Sequence, residues 1–424
     1  MAITTFRAFS SRNYRLYFTG QSVSLIGTWM QRTAVYWVIF AMTGSEFMVG
    51  VSVFATQFPS FLLSLFGGVI SDRYDKYKVL LTTQVASMIQ ATLLTILILM
   101  GKSTVWEILA ISILLGIINA FDVPARQSLV YQMVDKKEDL ANAIALNSSM
   151  VNLARIVGPG LSGFVLQKFG AGACFASNAI SFLAVIISLL LMRLKKYSRP
   201  PDTKKISTEL REGFNYLKKT PSIGFIILML AFMSLLVLPY NTLIIVYAKV
   251  IFKGNAFTFG ILNSCFGGGA ILGTFFLASL KEGRDLKMIL LVNTVLFGIG
   301  LMLFSHTTYF PLSVFFAVIT GFGMMSQTTI TNTIIQTSVQ PDMRGRVISY
   351  FAMAFFGMLP LGSLLIGAIS ERIGAPNTVL GEGIAAIIIA GIFAPFLRRG
   401  QKKRKKHLRQ QEAKAAAPIE EAMQ

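Results

Sequence analysis

The residues able to do chemistry in this 424-residue chain are few, and the conspicuous ones are charged groups set inside apolar stretches. Hydrophobic residues make up 54% of the chain and charged ones only 14%, so a buried arginine or carboxylate costs desolvation and needs a reason. Arg32, Arg126 and Arg155 are basic residues of this kind, and Asp122, Glu107 and Glu382 are the acids. Two chemistries follow: an arginine can hold an anion, and a carboxylate can carry a proton. Enzymatic catalysis and metal binding are not expected. The two histidines, His306 and His407, lie at a helix end and in the tail, and Cys174 and Cys265 have no partnering spacing. No phosphate-binding G-x-x-x-x-G-K-[ST] loop is present, which argues against an ATP-driven pump, and no cofactor is expected.

The elements that must position these groups are membrane helices. A mean hydropathy of +0.63 is too apolar for a soluble globule, and apolar runs of roughly 20 residues, enough to cross ~30 Å of hydrocarbon, recur along the chain. The reading is an all-α membrane protein with twelve spans, at about 16–40, 47–70, 79–100, 106–128, 142–167, 173–193, 223–248, 257–280, 287–305, 309–335, 347–370 and 377–397. With both termini in the cytoplasm, 31 of the 39 Lys and Arg residues face that side, whereas the opposite loops hold Lys102, Lys168, Lys249, Lys253 and Arg372. The net charge of +20 therefore sets topology and meets anionic lipid headgroups, and nucleic acid is not an expected partner.

The longest polar stretch, 193–222, contains Ile206, Leu210, Phe214 and Leu217 at helical spacing, which predicts an amphipathic helix lying on the cytoplasmic membrane surface. It divides the chain into a six-helix half at 1–192 and another at 223–397, followed by a polybasic tail at 398–424 that reads as a disordered topology anchor. The halves carry an internal echo: "GFVLQKFGA" at 163–171 aligns with "GAISERIGA" at 367–375. Duplicated halves of this kind place a central site at their interface.

Five of the scarce charges crowd into "GGVISDRYDKYKVLL", 67–81, between spans 2 and 3. The order of Gly68, Asp72, Arg73, Lys76 and Lys78 resembles the signature loop of the major facilitator superfamily, with Asp75 where that family usually has Gly. The resemblance implies a latch in which Gly68 permits close helix approach, Asp72 meets a helix end, and Arg73 and Lys76 pair with nearby acids when the transporter opens outward. Span 4 adds Asp122 and Arg126, four apart on one helix face. Asp122 has two readings, a member of the latch or a proton carrier.

"ARIVGPGLSG", 154–163, resembles the exporter signature of the same superfamily through Arg155, Gly158, Pro159 and Gly163, with Ala154 and Ser162 replacing two glycines. Together with "FDVPARQS" and the opening "FRAFSSRNYRLYFTGQSVSLIGTWMQR", these motifs are most similar to the branch containing the enterobactin exporter and macrolide efflux proteins. What the resemblance implies is proton antiport by alternating access. Asp122 is the leading carrier, with Glu107 and Glu382 as lesser ones; the antiporter family's Arg in span 4 is missing, and Ser112 stands there.

On span 1, Gln21, Thr28, Arg32 and Tyr36 share a helical stripe. Arg32 falls near the midplane, where the sequence offers no deep carboxylate besides Asp122, so it is expected to face the cavity and bind substrate. Asn241 on span 7 and Gln327 and Thr331 on span 10 are further polar candidates; each is equally able to bond a neighbouring helix. For Arg155 two readings stand: substrate contact, or satisfaction of carbonyls freed at the Pro159 kink. Basic character near the midplane and an acid-free span 1 point to a small anionic or neutral amphiphile, exported across a bacterial inner membrane by a monomer. The alternatives are a lysophospholipid flippase of the same fold, a cationic multidrug antiporter and, outside transport, a membrane scaffold or receptor.

Overall fold

The computed structural model describes residues 4–194, 206–280 and 284–397, and these are helical with no strand. The tail at 398–424, most of the linker before residue 206, and the side chain of Asp72 lie outside the described residues.

Local sequence sets where the helices begin and end. Helix α1 (Arg12–Thr43) stops at Gly44, whose left-handed φ of 64° lets its N–H reach back to the Phe40 carbonyl. Helix α2 (Glu46–Arg73) begins where the Ser45 hydroxyl accepts from the Met48 N–H, and α3 (Lys76–Leu99) where Asp75 accepts from the Tyr77 N–H. The unexpected Asp75 is therefore a helix cap. Glu107 is committed in the same way, completing a capping box with Thr104 at the start of α4 (Val105–Met133).

Helix α5 (Leu140–Leu190) runs for 51 residues, but Gly170 has φ 80° and ψ 177°, a conformation open to glycine that breaks the helix near its middle. Beyond the linker come α6 (Ile206–Lys219) and α7 (Pro221–Leu236). Pro239 lacks an amide donor, and the continuation of α7 is broken into a 3-10 turn at Leu238–Thr242, the short α8 (Ile244–Val246) and a π-helical turn at Tyr247–Ile251. Next are α9 (Ala256–Ala278), α10 (Leu286–Ser305), α11 (Phe310–Ser338), α12 (Pro341–Ala352), a π-helical turn, α13 (Met358–Ile373) and α14 (Ala375–Leu397).

Among the described residues ten helices are long and apolar enough to cross a membrane. The difference from the expected twelve has two sources. The stretch from Lys137 to Leu190 is one continuous element, and α1 is not among the ten. Helix α1 carries Arg12, Arg15, Gln21, Gln31 and Arg32 along its 32 residues, which lowers its apolar content.

The start of α1 and the end of α5 share one end of the bundle, where Asn13 and Arg193 exchange hydrogen bonds. Phe225 of α7 lies against Phe396 of α14 at the same end, the rings tilted by 32°. At the opposite end two seams are shut. A Cβ on Gly163 of α5 would stand 2.6 Å from the Ala256 carbonyl and 3.0 Å from Gly260 of α9, so this contact needs glycine. Helix α2 lies against α13 in the same way, with Gly50 at the Ser363 carbonyl and Gly367 at Glu46.

Helix α6 occupies the stretch where the sequence predicts an amphipathic helix; the side chains of Ile206 and Leu210 lie outside the described residues. It docks on α12 through a 2.8 Å ion pair between Glu212 and Arg346 and a ring contact between Phe214 and Tyr350.

Candidate functional site

A cleft between α1, α2 and α4 is lined by Thr28, Gln31, Arg32 and Tyr36 of α1, Thr56 of α2, and Ser112 and Asn119 of α4. Three of the four polar residues on the expected stripe of α1 meet there, because Thr28, Arg32 and Tyr36 are one helical turn apart. Gln21 is two turns further along and is buried in packing. Gln31 is held by a polar network: its Nε2 donates to Gln90 Oε1 at 3.1 Å, and Asn178 Nδ2 donates to its Oε1 at 2.8 Å.

Arg32 and Arg155 converge on one ring. The guanidinium carbons lie 4.6 Å and 5.7 Å from the centre of Trp29, each within cation–π range. Gly158 makes this possible, since a Cβ there would collide with Cβ of Trp29. Three residues before Pro159 the Ile156 carbonyl accepts from the Ser264 hydroxyl at 2.8 Å. The Arg155 head lies by Trp29 and by Met325, whose sulfur is 4.0 Å from Nη1. Neither arginine forms an ion pair with a carboxylate among the described residues.

Asp122 is 4% exposed and fully engaged. Gln84 Nε2 donates to its Oδ1 at 2.6 Å, the Thr83 hydroxyl stands 2.9 Å from the same oxygen, and Arg126 Nε lies 3.4 Å from Oδ2. Of Arg73, Lys76 and Arg126, the basic residues of the expected latch, Arg126 is the one in contact with it. Arg73 is exposed, and neither it nor Lys76 forms an ion pair among the described residues. A Cβ on Gly68 would meet nothing within 4 Å; the close approach belongs to Gly67, which abuts the Ala120 carbonyl of α4. One residue turns a helix by about 100°, which moves Gly68 off the contact face.

The remaining candidates lie apart. Asn241 is exposed on the 3-10 turn, while its neighbour Tyr240 is buried. Gln327 and Thr331 are fully buried on α11, where the Thr331 hydroxyl donates to the Gln327 carbonyl. Sequence reasoning missed Trp29, although its position three residues before Arg32 was a usable signal, and the lining residues Thr56 and Asn119 carried none.

Comparison with known proteins agrees with this architecture. The family profile described as transmembrane secretion effector matches residues 3–422. The chain is similar to a staphyloferrin A transporter of Staphylococcus aureus (26% identity, 89% of this chain and 95% of that protein) and to macrolide efflux protein A of Streptococcus pyogenes (23%, 92% and 98%). Its fold is similar to that of a POT family transporter solved with 5-aminolevulinic acid, with a TM-score of 0.73 over 92% of this chain and 96% of that one, at 12% identity. These relatives are bacterial transporters and not enzymes, and a multi-pass protein of the bacterial cell membrane is what their likeness and the apolar helices support. A profile match spanning nearly the whole chain assigns it: the protein belongs to the transmembrane secretion effector family of the major facilitator superfamily.

Proposed function

We propose that this protein exports a small amphiphile bearing an anionic group from the cytoplasm by alternating access, as a proton antiporter. The observation that carries the substrate class is the pair Arg32 and Arg155 gathered at Trp29, with no carboxylate on either among the described residues. Two half-buried guanidinium groups at membrane depth with no carboxylate beside them favour a counter-charge, and a bound anion supplies it. Trp29 offers the apolar face that an amphiphile would cover, and Thr28, Tyr36, Ser112 and Asn119 offer hydrogen bonds in the adjoining cleft. Relatives named for siderophore and macrolide transport support export of small molecules.

In this reading the chain crosses the membrane twelve times: the ten apolar helices, with α1 added and the long segment through α5 counted twice because Gly170 breaks it. Residues 1–192 and 223–397 are two six-helix halves joined by the linker at 193–222, the end carrying Arg12 and Leu397 faces the cytoplasm, and the unit is a monomer. Asp72, Arg73, Lys76, Asp122 and Arg126 form the cytoplasmic gate, with Gly67 rather than Gly68 at the helix contact. The seams shut at the far end make the present state one closed to the outside.

The test is thermal unfolding of the purified protein with a matched aromatic carboxylate, carboxamide and amidine. A ligand that binds only the folded state raises the unfolding temperature by mass action. Stabilisation by the carboxylate that is lost in Arg32→Ala is the expected result. Stabilisation by the amidine alone would overturn the substrate class and favour a cationic drug exporter.

A further inference from the structure

Glu382 is the sole ionisable residue of α14, and it is 2% exposed with neither carboxylate oxygen hydrogen-bonded among the described residues. It sits seven residues in from the end of α14 that lies away from the termini, about 10 Å at 1.5 Å per residue, within the shut part of the bundle. Helix α14 packs on α10 there, Gly383 and Gly298 each lying against the other's carbonyl, and α10 has no ionisable side chain between Met288 and Ser305. His306, just past α10, has its Nδ1 3.0 Å from the Ser305 hydroxyl.

The broken helix after α7 presents Tyr240 and Tyr247 within electrostatic range of Glu382. Both hydroxyls are engaged elsewhere: Tyr247 donates to the Ser305 carbonyl at 2.7 Å and Tyr240 points to the Met324 sulfur at 3.5 Å. Glu46, at the start of α2, reaches Tyr247 electrostatically and adds a second negative group. Lys249, on the same broken helix as Tyr247, lies over Trp37 and Phe40, and Arg155, within electrostatic range of Tyr240, lies by Trp29.

A carboxylate with no donor and no cation cannot stay ionised in such packing, whereas the neutral acid can. We propose that Glu382 is a proton-binding site whose occupancy is required for the bundle to close at the end away from the termini. The closed seam holds the Glu382 carboxylic acid. When the seam opens, water reaches the group, the acid O–H bond breaks and the proton passes to that water; a proton taken from the same water restores the acid and permits closure. This site rests on the alternating-access reading above and assigns a protonation step to it.

The experiment uses the full chain in lipid nanodiscs, with Cys174 and Cys265 replaced by alanine and spin labels at the exposed positions Met42 and Ile373. Label separation is followed from about pH 5 to about pH 9, the span over which buried carboxyl groups titrate. The wild type is expected to move toward a longer separation as pH rises, while Glu382→Gln keeps the short one throughout. Glu382→Asp, which retains the acid, should respond with a displaced midpoint. A Glu382→Gln variant that follows the wild-type curve, or a wild type without pH response, overturns the proposal. Should Glu382→Gln not fold, the wild-type curve and Glu382→Asp decide alone. The aromatic carboxylate is added to the same labelled protein at fixed pH. A shift with the carboxylate but none with pH sinks the Glu382 site and leaves the exporter reading standing; no shift with either sinks both.

Discussion

Asp122 and Glu382 are two acids equally hidden from solvent, and they are treated in opposite ways. Around Asp122, toward the end of the bundle carrying the termini, α3 and α4 supply an amide, a hydroxyl and a guanidinium within 3.4 Å. Around Glu382, toward the other end, α10 and the broken helix after α7 supply none. The same contrast separates the arginines: Arg126 has its carboxylate, while Arg32 and Arg155 share only a ring. A satisfied charge is bound into the fold and resists change of state, whereas an unsatisfied one is stable only with a ligand or a proton. Burial therefore does not identify a working charge; the missing partner does.

The contrast is broken most readily at Asp122. Asp122→Ala strands Arg126, Gln84 and Thr83, and should cost about 3 kcal/mol of stability, the lower end for halving a buried ion pair; denaturant unfolding in detergent reads it. Glu382→Gln has no partner to strand and should fall within about 1 kcal/mol of wild type. Equal losses at both sites would erase the distinction.

Arg32→Ala should leave stability near wild type but weaken binding of the aromatic carboxylate at least tenfold, about 1.4 kcal/mol, read by titration calorimetry. A variant that binds normally would place Arg32 with the structural charges. Gly158→Val tests how the Arg–Trp–Arg arrangement is held. The added side chain displaces Trp29, with an expected loss of about 1–3 kcal/mol from overpacking, and fluorescence of Trp29 should change. The smallest effect is expected for Glu212→Gln, where the pair with Arg346 is partly exposed: roughly 0.5 kcal/mol, fading with added salt.

Much of this was legible in the residues. Run lengths marked the apolar helices, four-residue spacing paired Asp122 with Arg126, and Gly158 marked a place where a neighbour packs. These are local signals, and helical periodicity transmits them directly. Glu382 and Glu107 were placed together as lesser carriers, and sequence could not separate them. Glu107 is spent on a cap three residues from its partner Thr104, whereas the surroundings of Glu382 come from residues about 80 to 145 positions earlier in the chain.

By itself, the sequence determined that the chain is an all-helical membrane protein, roughly where its apolar helices run, and that Asp122 and Glu382 lie within them. Caps, apolar length and glycine or proline breaks act within a turn or two, so they are written in contiguous residues. Only the tertiary structure decided which buried charges were answered. That outcome depends on which helices become neighbours and at what rotation, as where Gly158 admits Trp29 beside two arginines and where α10 meets Glu382 with nothing to offer it.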